Sequence, residues 1–185
     1  MSSFILSEHE KKILLTISLN QLKKLFHRDV DENDSVTGNL ETPCGAFVSL
    51  YNGNDLRGCI GAFTAEKPLY ETVKDVTVSS ALNDHRFPPL TNDEIDALTI
   101  EISVLTPLER IESLNQIELG KHGIYIKKGI FTGTFLPQVA LKTSWTVDEF
   151  VGHCSRDKAG IGWDGWRDAE LYRYEAIVFN NKDET

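Results

Sequence analysis

A guanidinium and a thiol that could act together belong to Arg57 and Cys59, in the segment LRGCIG at residues 56–61. The segment reads as a strand, and residues two apart on a strand share one face. A cation at that position could hold an anionic ligand or lower the pKa of the thiol, which would make Cys59 a nucleophile. Catalysis would also need a base within hydrogen-bonding distance, which the sequence does not place. The alternative is that Cys59 is a small buried apolar side chain.

Two glycines, Gly58 and Gly61, lie on either side of Cys59 in this segment. Because glycine has no Cβ, a ligand could approach the backbone closely at both positions, and we predict that they line a binding site. The alternative is that the two glycines permit a bulge or close packing against another element.

The sequence DHRFPPL at residues 84–90, the DHRFPPL loop, is the second candidate for ligand binding. Pro88 and Pro89 fix the backbone φ angle and therefore stiffen the loop. A stiff loop can hold Arg86 in one orientation, and a guanidinium can bind a carboxylate or phosphate through two parallel hydrogen bonds. The alternative is that Arg86 pairs with Asp84 or caps nearby carbonyl groups.

Further along the chain, Gln138 follows a predicted strand, where its amide could bind a ligand or satisfy carbonyl groups of the loop. His153 and Cys154 are neighbours on a predicted helix and point in different directions, so they are not expected to form a joint site. Trp163 and Trp166 are predicted to cover the core, or alternatively to form an aromatic wall of a binding surface.

The composition is that of an ordinary globular chain with a negative charge. The 185 residues include 28 acidic and 19 basic side chains, a net charge of −9 at pH 7. This charge repels phosphate backbones and anionic lipid, so binding to nucleic acid or to a membrane is disfavoured.

The cysteines and the amino terminus indicate a cytoplasmic protein. The three cysteines are an odd number, which fits a reducing compartment better than a disulfide framework. No basic segment precedes the short apolar stretch at the start of the chain, so no secretion signal is predicted. We found no paired Cys/His spacing and no phosphate-binding or dinucleotide motif, and we predict no metal and no cofactor.

The hydrophobic pattern predicts an α+β fold in one domain, residues 1–185, with a mostly antiparallel sheet and helices between groups of strands. Two strand-like runs surround an Asn-Gly turn at residues 52–55, a strong hairpin signal. A second hairpin is predicted around residues 127–129, and LTIEISVL at residues 98–105 alternates as a half-buried strand does. Capping boxes predict helix starts at Ser7, Thr91 and Thr146.

Four separated pieces of the chain resemble one known family. Together they resemble the AMMECR-type domain, protein A of the AmmeMemoRadiSam set, which also includes a Memo-like protein and a radical-SAM-type protein. The resemblance covers nearly the whole chain, and LRGCIG and RFPPL are its most specific parts. The four pieces are residues 56–61, 84–105, 120–141 and the final strand at 170–179.

This resemblance implies an α+β fold with a larger and a smaller subdomain and a ligand-binding cleft near LRGCIG. It implies Memo-like and radical-SAM-type proteins as partners, but no settled activity. The family pattern also has a histidine at His122, which could be the base that Cys59 lacks or a turn residue bonded to the backbone. The sequence departs from the pattern at His85, often a proline in the family, and at Lys142, often an acidic residue.

Three functions of different class follow from these features. The favoured one is a component, or an enzyme, that binds a small anionic molecule through Arg57, Arg86 and Gln138, with Cys59 and His122 as candidate catalytic residues. The alternative is a non-catalytic module that docks the Memo-like or radical-SAM partner. A nucleic-acid binder is disfavoured, because the charge is negative and interleaved aromatic and basic residues are absent.

Overall fold

The computed structural model describes residues 4–30, 35–64 and 66–182, and its fold is α+β with antiparallel strands, as predicted. The chain divides into two compact units. The first unit comprises residues 1–105 and 177–185, and the second unit comprises residues 106–176. In the described part of the chain, no helix is long and apolar enough to cross a membrane.

The first unit packs two helices on one face of an antiparallel sheet. Strand β1 is central, with β2 on one side and β3 on the other. Helix α2 packs against β1 and β2, and α1 packs against α2 and β3. The elements of this unit are α1 (Glu8–Leu25), β1 (Ala46–Asn52), β2 (Asp55–Ala62), α2 (Leu69–Leu82) and β3 (Leu98–Leu105).

The capping box and the Asn-Gly turn in the sequence correctly predicted the start of α1 and the β1–β2 hairpin. Ser7 caps α1, and the side chain of Glu10 accepts a hydrogen bond from the Ser7 backbone, which completes the predicted capping box. The helix ends at Leu25. The hairpin between β1 and β2 turns through Gly53, whose φ of +62° is a left-handed conformation that glycine adopts readily.

The core of the first unit lies between the sheet and its helices. Alternate residues of the central strands face the helices and are buried, as the alternating pattern predicted. They are Val48, Leu50, Ile100, Ile102 and Val104.

One serine of α2 connects β1 to β2. The hydroxyl of Ser80 accepts a hydrogen bond from the Ile60 backbone N–H at 2.8 Å and donates to the carbonyl oxygen of Val48 at 2.8 Å. Ile60 and Val48 are opposite each other in the strand pairing. The same turn of α2 explains Gly58, because a Cβ there would lie 2.1 Å from the Ser80 carbonyl oxygen. Helix and hairpin are therefore in backbone contact.

The second unit is a smaller antiparallel sheet with helices. Strand β7 pairs with β4 and β5, and β5 pairs with β6 in the predicted hairpin. Its core includes Ile124, Ile126 and Phe150, which are fully buried. The elements are β4 (Glu109–Ile111), β5 (His122–Lys128), β6 (Phe131–Phe135), α3 (Pro137–Leu141), α4 (Val147–His153), a π-helical turn (Cys154–Lys158) and β7 (Glu170–Asn180), which ends in the first unit.

The Ser80 bridge gives a first testable prediction. Ser80→Ala removes the shared partner of the partly buried Ile60 N–H and the buried Val48 carbonyl group, and should lower the free energy of unfolding by about 1–3 kcal/mol. Ser79→Ala, its neighbour on the same helix, is the control and should stay within about 0.5 kcal/mol of wild type. Urea unfolding measures both, and equal stabilities of the two variants would contradict the role of the bridge.

Candidate functional site

Arg57 anchors the DHRFPPL loop to strand β2. Its Nε and Nη2 donate to the two carboxylate oxygens of Glu94 at 2.6 and 3.0 Å. Nη1 donates to the carbonyl oxygen of Pro88 at 2.7 Å, and Nη2 also donates to that of Pro89 at 3.1 Å. The side chain is 15% exposed. These four bonds direct the guanidinium to the loop and to Glu94.

Glu94 is the matching anion, and in the sequence it is recognisable only as the last residue of the capping box that begins at Thr91. The hydrogen bond from Arg57 lowers the pKa of its carboxyl to about 2, although partial burial acts in the opposite direction. The backbone N–H of Thr91 adds a further bond at 2.8 Å. The predicted capping box is present, and it begins a 3₁₀ helix at Asn92–Ala97. Glu94 therefore stays ionised and holds Arg57 in place.

Asp84 and Arg86 form an edge pair on the side of β2 that faces away from β1. The Asp84 carboxylate accepts the Cys59 backbone N–H at 2.9 Å, and Arg86 Nη2 donates to the Cys59 carbonyl oxygen at 3.2 Å. Arg86 also donates through Nε and Nη2 to both oxygens of Asp84, at 2.9 and 2.8 Å. The edge pair thus occupies the backbone groups that a further strand would bond.

The contacts of Arg86 correspond to the alternative in the sequence analysis, pairing with Asp84 and capping of a carbonyl group. The hydrogen bonds from Arg86, and then from the Cys59 N–H, hold the pKa of the Asp84 carboxyl well below its usual range. Asp84 is buried, whereas the Arg86 side chain is 59% exposed. The guanidinium is therefore fixed and still reachable by solvent.

The thiol of Cys59 is partly buried, and its hydrogen-bonding neighbour is an alcohol. Ser49, opposite Cys59 in the strand pairing, donates its hydroxyl to the sulfur at 3.2 Å. An alcohol is a poor general base, so this contact does not supply the base that catalysis requires. The other two cysteines are buried, and burial raises the pKa of Cys44 to about 11 and that of Cys154 to about 12.

Three polar residues that were not among the predicted site residues share the sheet face of Cys59. Ser49 and Tyr51 come from β1, and Glu101 comes from β3, opposite Ser49. Burial and the nearby Glu101 carboxylate raise the pKa of the Tyr51 phenol. The signal that could have found them is the period of two in AFVSLY and LTIEISVL, which puts them on one face.

The two glycines of LRGCIG have packing partners in the first unit. A Cβ at Gly61 would lie 2.2 Å from the Phe47 ring, and Gly58 contacts Ser80 as described above. Both glycines therefore permit close packing against another residue, which is the alternative given for them above. Their predicted role in ligand binding stays a prediction.

His122 and Gln138 belong to the second unit. His122 is buried at the start of β5, where its Nδ1 accepts the Glu118 backbone N–H at 2.9 Å. Burial, and then the Arg173 charge, lower the pKa of His122, so the neutral ring with hydrogen on Nε2 is favoured. These contacts correspond to the backbone-bonded alternative. In Gln138, Oε1 is buried and has no hydrogen-bond partner in the described part of the chain.

The structure thus brings Arg57, Cys59 and Arg86 together around one edge of β2, with Asp84 and Glu94 as their partners. Within residues 4–30, 35–64 and 66–182, no group of three or more His, Cys, Asp or Glu side chains could hold a metal ion. The arrangement can present hydrogen-bond donors to an anionic group, and the described contacts of Cys59 offer no base for its thiol.

Comparisons with known proteins identify relatives along most of the chain. The model of the AMMECR1 family matches residues 15–179. Protein MJ0810 of Methanocaldococcus jannaschii is 39% identical over 145 residues, which cover 73% of this chain and 72% of the relative. Protein MK0488 of Methanopyrus kandleri is 39% identical over 163 residues, 82% of this chain and 78% of the relative.

A solved structure is also similar to this chain. The crystal structure of an uncharacterized protein, PH0010 from Pyrococcus horikoshii, superposes with a TM-score of 0.75 at 32% sequence identity. The match covers 96% of this chain and 93% of the other.

The Arg57–Glu94 pair predicts a specific acid sensitivity. The pKa of Glu94 falls from 4.5 to about 2 on folding, so its stabilisation is present above pH 4.5 and is lost as the pH falls towards 2. Wild type should therefore lose unfolding free energy below about pH 4.5 more steeply than Glu94→Gln, as measured by urea unfolding at several pH values. Glu112→Gln, at an exposed acid, should behave as wild type. Equal slopes for wild type and Glu94→Gln would contradict the prediction.

The thiol contacts predict the order and rate of alkylation. Iodoacetamide should label Cys59 first in the native protein, because Cys44 and Cys154 are 3% and 0% exposed. Its rate should not exceed that of free cysteine at the same pH, because Arg57 is bonded to Glu94 and the loop carbonyls and Arg86 is paired with Asp84. Mass spectrometry after timed labelling measures the rates, with the urea-unfolded protein as the control. Labelling many times faster than free cysteine would instead support a nucleophilic role.

Proposed function

The chain belongs to the AMMECR1 family, and we propose that it acts as a binding component that recognises an anionic group of a small molecule at Arg86. The observation that carries this proposal is the state of that guanidinium. It is 59% exposed, yet Asp84 and the Cys59 carbonyl oxygen hold it in one orientation. A donor that is already oriented loses less conformational entropy when it binds a ligand.

The free side of the guanidinium supports the same role. In the described part of the chain, Nη1 of Arg86 donates no hydrogen bond, whereas Nε and Nη2 are engaged. Asp84 offsets much of the charge, so recognition depends on the direction of the N–H donors. A carboxylate or phosphate oxygen is the acceptor that such a donor prefers.

Binding is better supported than catalysis at this edge of β2. Arg57 is bonded to Glu94 and to the proline carbonyls, and the thiol of Cys59 contacts the hydroxyl of Ser49. For Cys59 to act as a nucleophile, a general base would have to occupy the position of the Ser49 hydroxyl.

A second candidate function is the docking of a Memo-like or radical-SAM-type partner through the DHRFPPL loop. The observation that favours it is that His85, Pro88 and Pro89 are exposed on a loop that Arg57 holds rigid. A rigid exposed loop can bind a protein surface with little ordering cost.

The two functions make different predictions for Arg86. Isothermal titration with inorganic phosphate and with succinate should show binding to wild type, and Arg86→Ala should weaken it about tenfold, the loss of one charged hydrogen bond. Arg110→Ala is the control, because that arginine is 60% exposed and lies in the second unit. Arg86→Lys, which keeps the charge but not the fork geometry, tests whether donor direction matters.

Unchanged binding of both anions in Arg86→Ala, or no binding to wild type, would contradict the anion site. Co-purification with a Memo-like and a radical-SAM-type protein tests the second function with the same variants. Loss of co-purification in Arg86→Ala, without any anion binding to wild type, would favour docking over ligand binding.

A further inference from the structure

The face of the first-unit sheet that points away from its helices carries a cluster of polar side chains. In the pairing of β1 with β3, Tyr51 lies opposite Thr99, and Ser49 lies opposite Glu101. Opposite side chains on one face have Cβ atoms about 5 Å apart, and diagonal neighbours lie about 7 Å apart. Tyr51, Thr99 and Glu101 are therefore close enough for one small group to contact all three.

The hydroxyl of Thr99 is buried and lacks a partner. Thr99 is 9% exposed, and in the described part of the chain its Oγ1 has no hydrogen bond. Buried polar atoms are nearly always bonded, and an unsatisfied one lowers stability. Valine has the same shape and would remove no hydrogen bond of the fold. The hydroxyl at this position therefore indicates a partner from outside the chain.

Glu101 brings a negative charge to the same place. The residue is half-buried, and across residues 4–30, 35–64 and 66–182 its carboxylate has no hydrogen bond and no ion pair. It is close enough to Tyr51 to raise the pKa of that phenol, after the larger effect of burial. The phenol is thus neutral near neutral pH, and its oxygen can accept a hydrogen bond.

The arginines at the edge of β2 are engaged with other carboxylates. Arg57 donates to both oxygens of Glu94. Arg86 donates to both oxygens of Asp84. Neither guanidinium is thus available as the counter-charge of Glu101.

We propose that Glu101, Tyr51 and Thr99 bind the ammonium group of a small organic amine. A primary ammonium has one positive charge and three N–H donors. One N–H bonds the Glu101 carboxylate, and the other two bond the oxygens of Tyr51 and Thr99. The ligand thereby supplies a counter-charge to Glu101 and the missing partner to Thr99.

The charge of the cluster favours an ammonium over a divalent metal ion. One carboxylate and two neutral hydroxyls balance a single positive charge, whereas a divalent ion would keep an uncompensated charge in a half-buried place. The cluster lies on the sheet face, and Arg86 lies along the edge of β2. Ammonium binding therefore goes beyond the anion site and can be tested separately from it.

Titration of the wild-type protein with ethylammonium chloride, followed by nuclear magnetic resonance, tests the proposal. The backbone amide signals of Tyr51, Thr99 and Glu101 should shift and reach saturation. Ethanol has the same carbon chain without the charge, and it should not shift them. Sodium and magnesium chloride at the same ionic strength should not shift them either. No saturable shift with ethylammonium, or an equal shift with any of the other three, would overturn the proposal.

Substitutions separate this site from the anion site. Glu101→Gln removes a charged hydrogen bond and should weaken ethylammonium binding at least about tenfold. Glu112→Gln, at an exposed acid of the second unit, and Arg86→Ala should leave it unchanged. Unchanged binding in Glu101→Gln would overturn the ammonium site, whereas the anion site would still be judged by Arg86→Ala with phosphate and succinate.

Thr99→Val should change stability and binding in opposite directions. The midpoint of urea unfolding should rise, because a methyl group replaces an unsatisfied hydroxyl, and ethylammonium binding should weaken about threefold or more. Thr77→Val is the matched control, because that buried hydroxyl bonds Ser18 and the Val73 carbonyl oxygen. It should lower the unfolding midpoint and leave binding unchanged. A lower midpoint with unchanged binding in Thr99→Val would assign its hydroxyl to the fold and contradict its role as a ligand contact.

Discussion

The bidentate pair between Arg57 and Glu94 is the interaction on which the candidate site depends. Because the same guanidinium also binds the carbonyl oxygens of Pro88 and Pro89, one side chain fixes the end of the DHRFPPL loop to strand β2. The pair is mostly shielded from solvent, where charged hydrogen bonds are stronger and an unpaired charge is costly. The edge pair is held by its own bonds to the Cys59 backbone, and the anchor fixes the end of the same loop beyond it.

A second constraint acts from the helix side of the sheet. Ser80 places its hydroxyl between β1 and β2, and its carbonyl oxygen occupies the space where a side chain at position 58 would lie. The strand is thus fixed by α2 on one side and by the DHRFPPL loop along its edge. Close backbone contact of this kind requires glycine, which is the physical reason for Gly58 in LRGCIG.

These contacts change the interpretation of LRGCIG, residues 56–61. Its arginine and its first glycine hold elements of the fold together, and its cysteine offers backbone groups to Asp84 and Arg86. The guanidinium that stays exposed at this edge is that of Arg86, which lies outside LRGCIG. In the second unit, His122 Nδ1 is bonded to the backbone N–H of Glu118, and its Nε2 lies 3.7 Å from the Glu175 carboxylate.

The sequence by itself determined the class of fold, the family resemblance, both hairpins and the capped helix starts, because these follow from local hydrophobic periods and from turn and capping residues. It also placed Arg57 and Cys59 two apart on one strand. Tertiary structure alone decided what each side chain contacts. Glu94, Asp84 and Ser80 lie 20 or more positions from their partners on β2, and no periodicity carries information over that separation. An arginine is free to bind a ligand only if folding does not pair it with a carboxylate of its own chain. Only the tertiary structure fixes which carboxylate lies beside it.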